Sequence, residues 1–485
     1  MNLPKSLRVL FFIFGLSCVA ARTFAADPPA PLAPVPSPAQ LAWFQNELTL
    51  FVHFNMDTFT GRSIGTGQED PKTFYPTDLD CRQWAKVAKD CGFAGFILTA
   101  KHHDGFCIWQ THTTDHSVKS SPWENGKGDV VRELSIACKE TGLKLGIYCS
   151  PLDLSQPIYT SDKPAYSRYY RAQLTELLSN YGPVFEMWFD GNRADVDDWT
   201  DVIKTVRTLQ PNAVIKQGPR LTPIREDVHW VGNERATCPL TNWDVYPPPD
   251  TGASDATRIF FPAECDTLVN GHWFWDPKPP RDLSVLLNYY YTSIGRGSNL
   301  ILNVAPDMRG RFSDACVQRL HEFHDALTKI FGADFATHRP ATASNTRGND
   351  PAFSPARAVD GDPNTYWATD DNVTTAWLEV DLGQPRTFNV IRTEEMLSLG
   401  QRVAQYKIEA LISGSWKTIA TGTTIGYRKL DRFPAVTATK VRLTIEKSLA
   451  CPTLRSIGVH FDGISPPDSF LPASALLEIK PRSQR

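Results

Sequence analysis

The segment VFEMWFDG, residues 184–191, is an apolar, strand-like run that ends in a carboxylate and a glycine. Six further runs along the chain are equally short, apolar and rich in β-forming residues. They are LTLFVHFN (48–55), GFAGFILTAKHH (92–103), KLGIYCSP (144–151), AVIKQG (213–218), VHWVGNE (228–234) and NLILNVAP (299–306). Continuous apolar runs of this length are typical of strands that are buried on both faces, as in a parallel sheet.

Helical patterns lie between most of these runs. They cover 79–91, 129–141, 164–181, 197–209 and 282–295, and a further one at 313–331 follows the last run. Alternation of strands and helices over about 290 residues predicts a parallel sheet covered by helices. Seven or eight strands favour a closed (β/α)8 barrel of the TIM type over an open, doubly wound sheet. A GxGxxG turn after the first strand would favour the open sheet, and the sequence has none.

The pattern of apolar and polar residues changes after Gly332. Short alternating strands separated by turns follow, and helical periodicity is weak. The clearest are AWLEVDLG, FNVIRTEE, YKIEALIS, WKTIATG and KVRLTIEK. This pattern predicts an antiparallel β-sandwich. We therefore expect a barrel domain at 40–332 and a sandwich domain at 333–485.

The N-terminus has the three parts of a secretory signal over residues 1–25. Lys5 and Arg8 form the basic region, an apolar run follows, and Thr23-Phe24-Ala25 is a small-residue cleavage site. The apolar run is too short to span a bilayer, and we expect no transmembrane segment. A secreted or periplasmic location follows; lipoprotein cleavage before Cys18 is the less favoured alternative. Residues 26–39 form a Pro-rich linker.

Composition narrows the class of function. The 485 residues include 50 Lys and Arg and 53 Asp and Glu, for a net charge of −3, which argues against a nucleic-acid partner. The 13 Trp residues are usual for a protein that handles sugars. The ten Cys show neither CxxC pairs nor zinc spacing, so we expect one or two disulfides at most.

Polar residues fall at the ends of the predicted strands, where a parallel barrel builds its active site. Asp190 ends the fourth run, with Trp188 on the same face of that strand. Asp before Gly is also a common turn, and the local motif alone does not separate the two interpretations. Glu186 shares the face of Asp190 but lies deeper, which favours a structural role.

Glu234 is the natural second carboxylate, because its distance along the chain from Asp190 fits two strands that are separated by one other. Two carboxylates are what glycoside hydrolysis needs. Other candidates for the second carboxylate are Glu264, Asp266 and Asp104, and the alternative for Glu234 itself is a surface loop residue.

Three histidines end the first two runs: His53, His102 and His103. Adjacent residues on a strand point to opposite faces, and HxH and HExxH spacings are missing from the sequence, so we expect hydrogen bonding to sugar hydroxyls rather than metal ligation. Tyr148 closes the third run.

At these residues the chain resembles glycoside hydrolase family 29, the α-L-fucosidases. The resemblance covers roughly residues 40–332. It rests on LFVHFN, TAKHHDGF, GIYCSP, MWFDG, GNE and SNLILNVAPDMRG, in this order. It implies that Asp190 is the nucleophile and Glu234 the acid/base of a retaining enzyme that needs no cofactor. It further implies a fucose pocket lined by His53, His102, His103, Tyr148, Trp188 and Trp273.

The G-N-E form of the second motif, Gly232-Asn233-Glu234, is similar to the branch that acts on α-1,3 and α-1,4 fucosyl links of branched glycans. The expected partners are therefore fucosylated oligosaccharides or glycoconjugates. One departure stands out, because related sequences often carry Glu-Trp-Gly where this chain has Ser63-Ile64-Gly65. Two alternative functions stay open: an inactive fucose-binding lectin, and a glycosidase for a related sugar such as an α-L-galactoside.

The C-terminal domain resembles the discoidin-like fold of coagulation factor V/VIII C-type domains. The matching stretches include ARAVDGDPNTYWAT and AWLEVDLGQP. In that fold, the loop that corresponds to residues 360–365 often wraps a structural calcium. The resemblance implies that Asp360, Asp362, Thr365 and Glu478 could serve as ligands, and a plain Asp- and Gly-rich turn is the alternative.

Overall fold

The computed structural model describes residues 26–191, 195–197, 199–217, 227–252 and 254–465. The predicted signal peptide, Cys18 and Glu478 lie outside these residues. The nine other cysteines are all free and buried, so no disulfide forms among the described residues.

Eight parallel strands close into a barrel, which confirms the predicted fold of the first domain. The order around the barrel is β1-β10-β9-β6-β5-β4-β3-β2. The barrel strands are β1 (Leu48–Val52), β2 (Gly95–Lys101), β3 (Lys144–Cys149), β4 (Val184–Trp188), β5 (Val214–Gln217), β6 (Val228–Trp230), β9 (Ala263–Leu268) and β10 (Asn299–Asn303). Strands β1, β2 and β10 are buried along their whole length, as their apolar sequences predict.

Nine helices accompany the strands in the part of the chain that the structure describes. They are α1 (Pro38–Phe44), α2 (Met56–Thr60), α3 (Cys81–Asp90), α4 (Val130–Thr141), α5 (Ile158–Ser161), α6 (Lys163–Asn180), α7 (Trp199–Leu209), α8 (Leu283–Thr292) and α9 (Asp314–Phe331). Side-chain caps fix several starts: Asp80, Asp129 and Asp162 each accept a hydrogen bond from a backbone N–H in the first turn of the helix that follows.

The seventh barrel strand, β9, is absent from the runs identified in the sequence. Its sequence is AECDTL, in which Glu264 and Asp266 break the apolar pattern. Both carboxylates alternate with buried Cys265, and both are themselves buried. The connection from β6 to β9 runs through a two-stranded ribbon, β7 (Val245–Tyr246) and β8 (Ile259–Phe260).

The second domain is an antiparallel sheet of seven strands, which confirms the predicted class. Its strands are β11 (Ala341–Ala343), β12 (Trp367–Ala368), β13 (Ala376–Glu395), β14 (Val403–Ile412), β15 (Ser415–Gly422), β16 (Lys429–Ser448) and β17 (Thr453–His460). The long strands β13 and β16 pair with two irregularities in register, where bulges let a strand bend around the core. That core is a separate hydrophobic cluster, which includes Trp367, Leu378, Tyr406 and Leu443.

The Pro-rich segment lies on the C-terminal domain. The backbone N–H of Leu32 donates to the carbonyl of Leu399 at 2.9 Å, and the Arg402 guanidinium donates to the carbonyl of Ala30 at 2.7 Å. Its last residues begin α1, where Ser37 caps the helix.

An ion-pair network joins the two domains. The Arg428 guanidinium lies 2.5 Å from Glu47 of the barrel and 2.7 Å from Glu394 of its own domain. Tyr427 stacks on Phe44 of α1, with ring centroids 4.7 Å apart. Burial favours the neutral form of Glu394, but Arg428 and two further arginines outweigh it and lower the pKa of this carboxyl. The network therefore keeps buried charge satisfied across the domain boundary.

We predict that Arg428→Ala lowers the free energy of unfolding by about 3 kcal/mol, because the buried Glu394 and the half-buried Glu47 lose their shared cation. Differential scanning calorimetry measures the effect. The control is Arg82→Ala, which removes an exposed pair with Glu140 and should leave the Tm unchanged. Equal Tm values for the two variants would contradict this account of the domain boundary.

Candidate active site

A cavity of about 260 Å³ opens at the C-terminal end of the barrel strands. Its lining includes every residue that the sequence predicted for catalysis or sugar binding: Asp190, Glu234, His53, His102, His103, Tyr148, Trp188 and Trp273. It also includes Phe51, Ser63, Ile64, Lys216, Trp230 and Asp266. The structure thus brings the predicted residues together, whereas their roles stay predictions.

Asp190 follows β4 at the rim of this cavity. The Tyr148 hydroxyl donates to its Oδ2 at 2.9 Å, and the backbone N–H of Gly191 donates to its Oδ1 at 2.7 Å. The Nε2 of His103 lies 3.5 Å from Oδ2. Burial favours the neutral acid, but Lys216, His103 and the hydrogen bonds outweigh it, so the pKa of Asp190 is lowered. Asp190 is therefore held as a carboxylate that faces the cavity.

Gly191 lets the chain turn away directly after this carboxylate. Its φ of 93° lies in the left-handed region that side chains other than glycine rarely adopt. A Cβ at this position would lie 2.3 Å from a carboxylate oxygen of Asp195. The glycine of the W-F-D-G motif is thus required by backbone geometry as well as by space.

Lys216 is a site residue that the sequence analysis missed. It lies on β5 directly beside Trp188 of β4, and its Nζ is 3.0 Å from the centroid of the Trp188 ring. The side chain is buried; burial lowers the pKa of Lys216, and Asp190, Asp266 and Glu264 oppose that shift. Lys216 is the single charged residue in the apolar run AVIKQG. A buried cation needs anionic partners, so this lysine could have been recognised from the sequence as a neighbour of the site carboxylates.

Glu234 lies in the turn that follows β6 and is exposed at the mouth. Strand β5 separates β4 from β6, so Asp190 and Glu234 follow strands separated by one, as their spacing predicts. Asn233 braces the turn, because its side-chain amide donates to the carbonyl of Thr237 at 2.8 Å. The Thr267 hydroxyl of β9 donates to the Glu234 carbonyl at 3.0 Å. The loop that carries Glu234 is thus anchored to the barrel.

Asp266 is a third carboxyl of the cavity. It projects from β9 and accepts a hydrogen bond of 2.8 Å from the indole N–H of Trp230. Burial raises the pKa of Asp266 to about 7, and Lys216 opposes the shift. It is one of the alternatives to Glu234 named from the sequence, and it differs from Glu234 in being buried.

Two carboxyls lie below the cavity floor. The indole N–H groups of Trp43 and Trp188 donate to Glu186 at 3.0 Å and to Glu264 at 2.9 Å. Burial, and then the neighbouring Glu264, hold the pKa of Glu186 well above its ordinary value. A proton shared by this pair removes one buried negative charge. Glu264 thus holds the indole of Trp188 directly, whereas Glu186 bonds Trp43 and neighbours Glu264; the structural role of Glu186 stays a prediction.

The three histidines converge on the cavity. His53 donates from Nδ1 to the side-chain oxygen of Asn303 at 2.8 Å, and the Nδ1 of His103 lies 2.7 Å from the Ser150 hydroxyl. Burial lowers the pKa of His53 to about 3 and that of His102 to about 3. These imidazoles are therefore neutral near pH 7, so each has one N–H donor and one acceptor nitrogen. The N–H of His53 is engaged by Asn303, which leaves its Nε2 to accept a hydrogen bond from a hydroxyl group.

The argument that adjacent His102 and His103 point to opposite faces is wrong. Both line the same cavity, with ring centroids 4.2 Å apart. Strand β2 ends at Lys101, so the strand alternation no longer applies to the two residues that follow.

A buried acidic cluster lies behind His102. Two sets of three side chains have potential ligand atoms within 4.8 Å of one another: Asp57, His102 and Asp104, and Glu69, Asp104 and His116. Burial raises the pKa of Asp57 to about 6, and burial together with Asp57 holds the pKa of Asp104 well above its ordinary value. The sequence spacings on which metal ligation was judged did not indicate these sets.

The predicted calcium loop of the second domain is closed on itself. Asp360 accepts from the Thr365 hydroxyl at 2.9 Å and from the backbone N–H of Asp362 at 3.0 Å. The Asp362 carboxylate accepts from the backbone N–H of Asn364 at 2.9 Å. These contacts are those of an Asp-rich turn, in which both carboxylates accept hydrogen bonds from the loop itself. Calcium at this loop stays a prediction from the resemblance, and Glu478 lies outside the described residues.

Comparison with known families bears on both domains. Residues 12–329 match the model of the alpha-L-fucosidase family, and residues 340–456 match that of the F5/8 type C domain. The chain belongs to the α-L-fucosidase family, glycoside hydrolase family 29. The sequence resemblance is thereby confirmed, including that of the C-terminal domain.

Individual relatives match over nearly the whole chain. Alpha-L-fucosidase 1 of Arabidopsis thaliana is 35% identical over 96% of this chain and 95% of its own length. A crystal structure of SpGH29 superposes with a TM-score of 0.83 at 35% identity, covering 90% of this chain and 100% of the other. A Ruminococcus gnavus GH29 fucosidase in complex with fucose superposes with a TM-score of 0.83 at 29% identity, covering 91% and 98%.

We predict that Lys216→Met raises the pKa of Asp190 and lowers activity towards an aryl α-L-fucoside near the acidic end of its pH range. The cation that opposes burial of the carboxylate is removed, so the acidic limb of the kcat/KM profile moves to higher pH. The pH dependence of kcat/KM measures the shift. The control is Lys144→Met, at the opposite end of β3, which should leave the limb in place. An unmoved limb in Lys216→Met would contradict the role assigned to Lys216.

Proposed function

We propose that this protein is an exported, retaining exo-α-L-fucosidase in which Asp190 is the nucleophile and Glu234 the acid/base. The observation that carries the proposal is that an ionised Asp190 and a solvent-accessible Glu234 line one cavity with three neutral histidines. Retaining glycosidases use two carboxyl groups in these two roles.

In the first step, Asp190 attacks the anomeric carbon while Glu234 protonates the departing glycosidic oxygen. The C–O bond to the leaving group breaks, and an ester forms between the sugar and Asp190. In the second step, Glu234 takes a proton from water, which attacks the same carbon and releases fucose. Tyr148, bonded to Asp190 Oδ2, keeps the attacking carboxylate in place.

The same cavity accounts for recognition of fucose. His53 and His102 are neutral and buried, and thus suit the sugar hydroxyls. Fucose carries a methyl group in place of a hydroxymethyl, and Trp188 and Trp273 supply apolar surface to a ligand in this cavity. The reaction proposed here uses side chains of the chain alone and no cofactor.

We also propose which fucosyl links the enzyme cleaves. The Gly232-Asn233-Glu234 motif supports action on α-1,3 and α-1,4 fucosyl links of branched glycans, because it resembles the branch of the family with that preference. The exposed position of Glu234 agrees with a bulky leaving group, since nothing in the described structure covers it.

Export is proposed from the N-terminal pattern, and the contacts of Ala26 support it. Its backbone nitrogen lies 2.7 Å from the Asp350 carboxylate, and cleavage before Ala26 would convert this nitrogen into an ammonium that pairs with Asp350. Among the described residues no helix combines the length and apolarity that a membrane crossing requires. We predict that the intact mass of the exported protein corresponds to a chain starting at Ala26. A mass that retains residues 1–25, or that starts at Cys18, would contradict this.

We predict that Asp190→Ala lowers kcat on an aryl α-L-fucoside by about four orders of magnitude or more, because the nucleophile is lost. Asp190 lies at the rim and outside the core, so the Tm should change little. Steady-state kinetics and calorimetry measure the two quantities. A kcat equal to that of the wild type would remove Asp190 from the mechanism, and a variant that still binds fucose separates loss of chemistry from loss of the fold.

We predict that azide restores activity of Glu234→Ala on an aryl α-L-fucoside and yields α-fucosyl azide, because azide attacks the β-linked ester on Asp190 with a second inversion. An aryl group departs without protonation by an acid, and azide attacks the fucosyl ester without help from a base. Retention of the anomeric configuration in the product therefore shows that the nucleophile still acts in this variant. Nuclear magnetic resonance of the product measures it. The matched comparison is Asp266→Asn, the other candidate acid, which should not respond to azide. Rescue of Asp266→Asn alone would transfer the acid/base role to Asp266.

A comparison of two substrates tests the proposed fucosyl linkage and the lectin alternative. A branched Lewis-type trisaccharide should be cleaved in preference to the aryl fucoside. Release of fucose from neither substrate, with binding of fucose retained, would favour a lectin.

A further inference from the structure

A second cavity of about 420 Å³ lies beside the active-site cavity. It is formed by the segment after β1 and by the loops after β9 and β10. Its lining residues include Phe59, Arg62, Ser63, His272, Phe274, Trp275, Asp276 and Met308. The mechanism above uses none of these residues, although Ser63 also lines the active-site cavity.

The two cavities share one thin partition. Ser63 lines both of them, so at this point a single small side chain stands between the two spaces. Elsewhere the partition is the aromatic segment after β9: Trp273 lines the active-site cavity, whereas Phe274 and Trp275 line the second one. Phe274 packs edge-on against His53 and His102, with centroids 5.4 and 5.1 Å apart. The second cavity thus lies directly behind the sugar-binding histidines.

The barrel order places the second cavity opposite the nucleophile. Asp190 follows β4, and β1 and β10 are the third and fourth strands away from β4 around the barrel. The nucleophile must face the anomeric carbon, and in a pyranose ring C4 lies across the ring from C1. A fucosyl ring that places C1 at Asp190 and extends across the cavity towards β1 and β10 would present its 3- and 4-hydroxyls to the wall that contains Ser63.

The chemistry of the second cavity suits a neutral sugar. Phe59 and Trp275 offer aromatic surface, and half-buried Trp rings are frequent platforms for the apolar face of a pyranose. The charged groups are already paired: Arg62 lies 3.6 Å from Glu69, and Asp276 lies 3.1 Å from both His272 and Lys278. A sulfate ester would need cations that are not engaged in this way.

We propose that the second cavity is a subsite for a neutral monosaccharide unit carried on the 3- or 4-hydroxyl of the fucosyl residue that is removed. The protein would then cleave fucosyl links whose fucose is itself substituted, by the same two steps, and release a disaccharide. This inference rests on the proposed function. Ser63 is the feature that permits it, because the Glu that related sequences often carry in the Glu-Trp-Gly motif would put a larger, charged side chain in the partition.

The test compares three aryl α-L-fucosides: unsubstituted, 4-O- or 3-O-galactosylated, and 4-O-sulfated. We expect the wild type to cleave a galactosylated substrate with kcat/KM within about tenfold of the unsubstituted one. Contacts between the galactosyl unit and the second cavity should offset the cost of binding the larger substrate. Cleavage of the unsubstituted substrate alone would overturn the inference and leave the proposed function intact. Cleavage of none of the three would overturn the proposed function itself.

Two variants test whether cleavage of the galactosylated substrate depends on the second cavity. Trp275→Ala should lower the ratio of kcat/KM for galactosylated over unsubstituted substrate by about two- to tenfold, since an aromatic contact is lost. Ser63→Trp should lower the same ratio further, because it fills the partition. The matched control is Trp416→Ala, in β15 of the second domain, which should leave the ratio unchanged. An equal ratio in wild type and Trp275→Ala, or a preference for the sulfated substrate, would overturn the subsite as described.

Discussion

The buried ammonium of Lys216 is the interaction on which the candidate site depends. It lies against the Trp188 ring and faces Asp190, Glu264 and Asp266. A closed barrel points several carboxylates inward, and burial alone would make each of them neutral. The cation acts most effectively on Asp190, whose carboxylate also receives two hydrogen bonds and therefore stays ionised. Burial instead raises the pKa of the deeper carboxyls Glu186, Glu264 and Asp266, so Asp190 is the member of this group whose pKa is lowered.

Burial also explains why the histidines of the remaining cavity wall are uncharged. Burial and the neighbouring imidazoles lower the pKa values of His53 and His102, although Asp190 opposes this shift, and Phe274 packs edge-on against both rings. The orientation of His53 is fixed by a neutral partner, Asn303. The wall opposite the nucleophile is thus suited to hydroxyl groups rather than to anions, and its thin point at Ser63 connects it to the second cavity.

Much of this arrangement could be predicted from sequence because barrel strands carry their chemistry at one end. Apolar runs identified seven of the eight barrel strands, and polar residues at their ends identified the cavity. Strand β9 escaped because Glu264 and Asp266 interrupt its apolar run, and they are tolerated there only through Trp188, Trp230 and Lys216. Those partners are far away in the sequence. The orientation of His103 was mispredicted for a related reason: where a strand ends is decided by the fold and not by the run of apolar residues.

Trapping of the covalent intermediate tests the central claim most directly. A 2-deoxy-2-fluoro-α-L-fucosyl fluoride combines an activated leaving group with a slowed second step, so the ester should accumulate on the nucleophile. Peptide mass spectrometry then locates it. The account predicts one fluorofucosyl adduct, on the peptide that contains Asp190, with its ester at that carboxyl. An adduct on Asp266 or Glu234, or turnover of the compound with inversion and without any adduct, would contradict it.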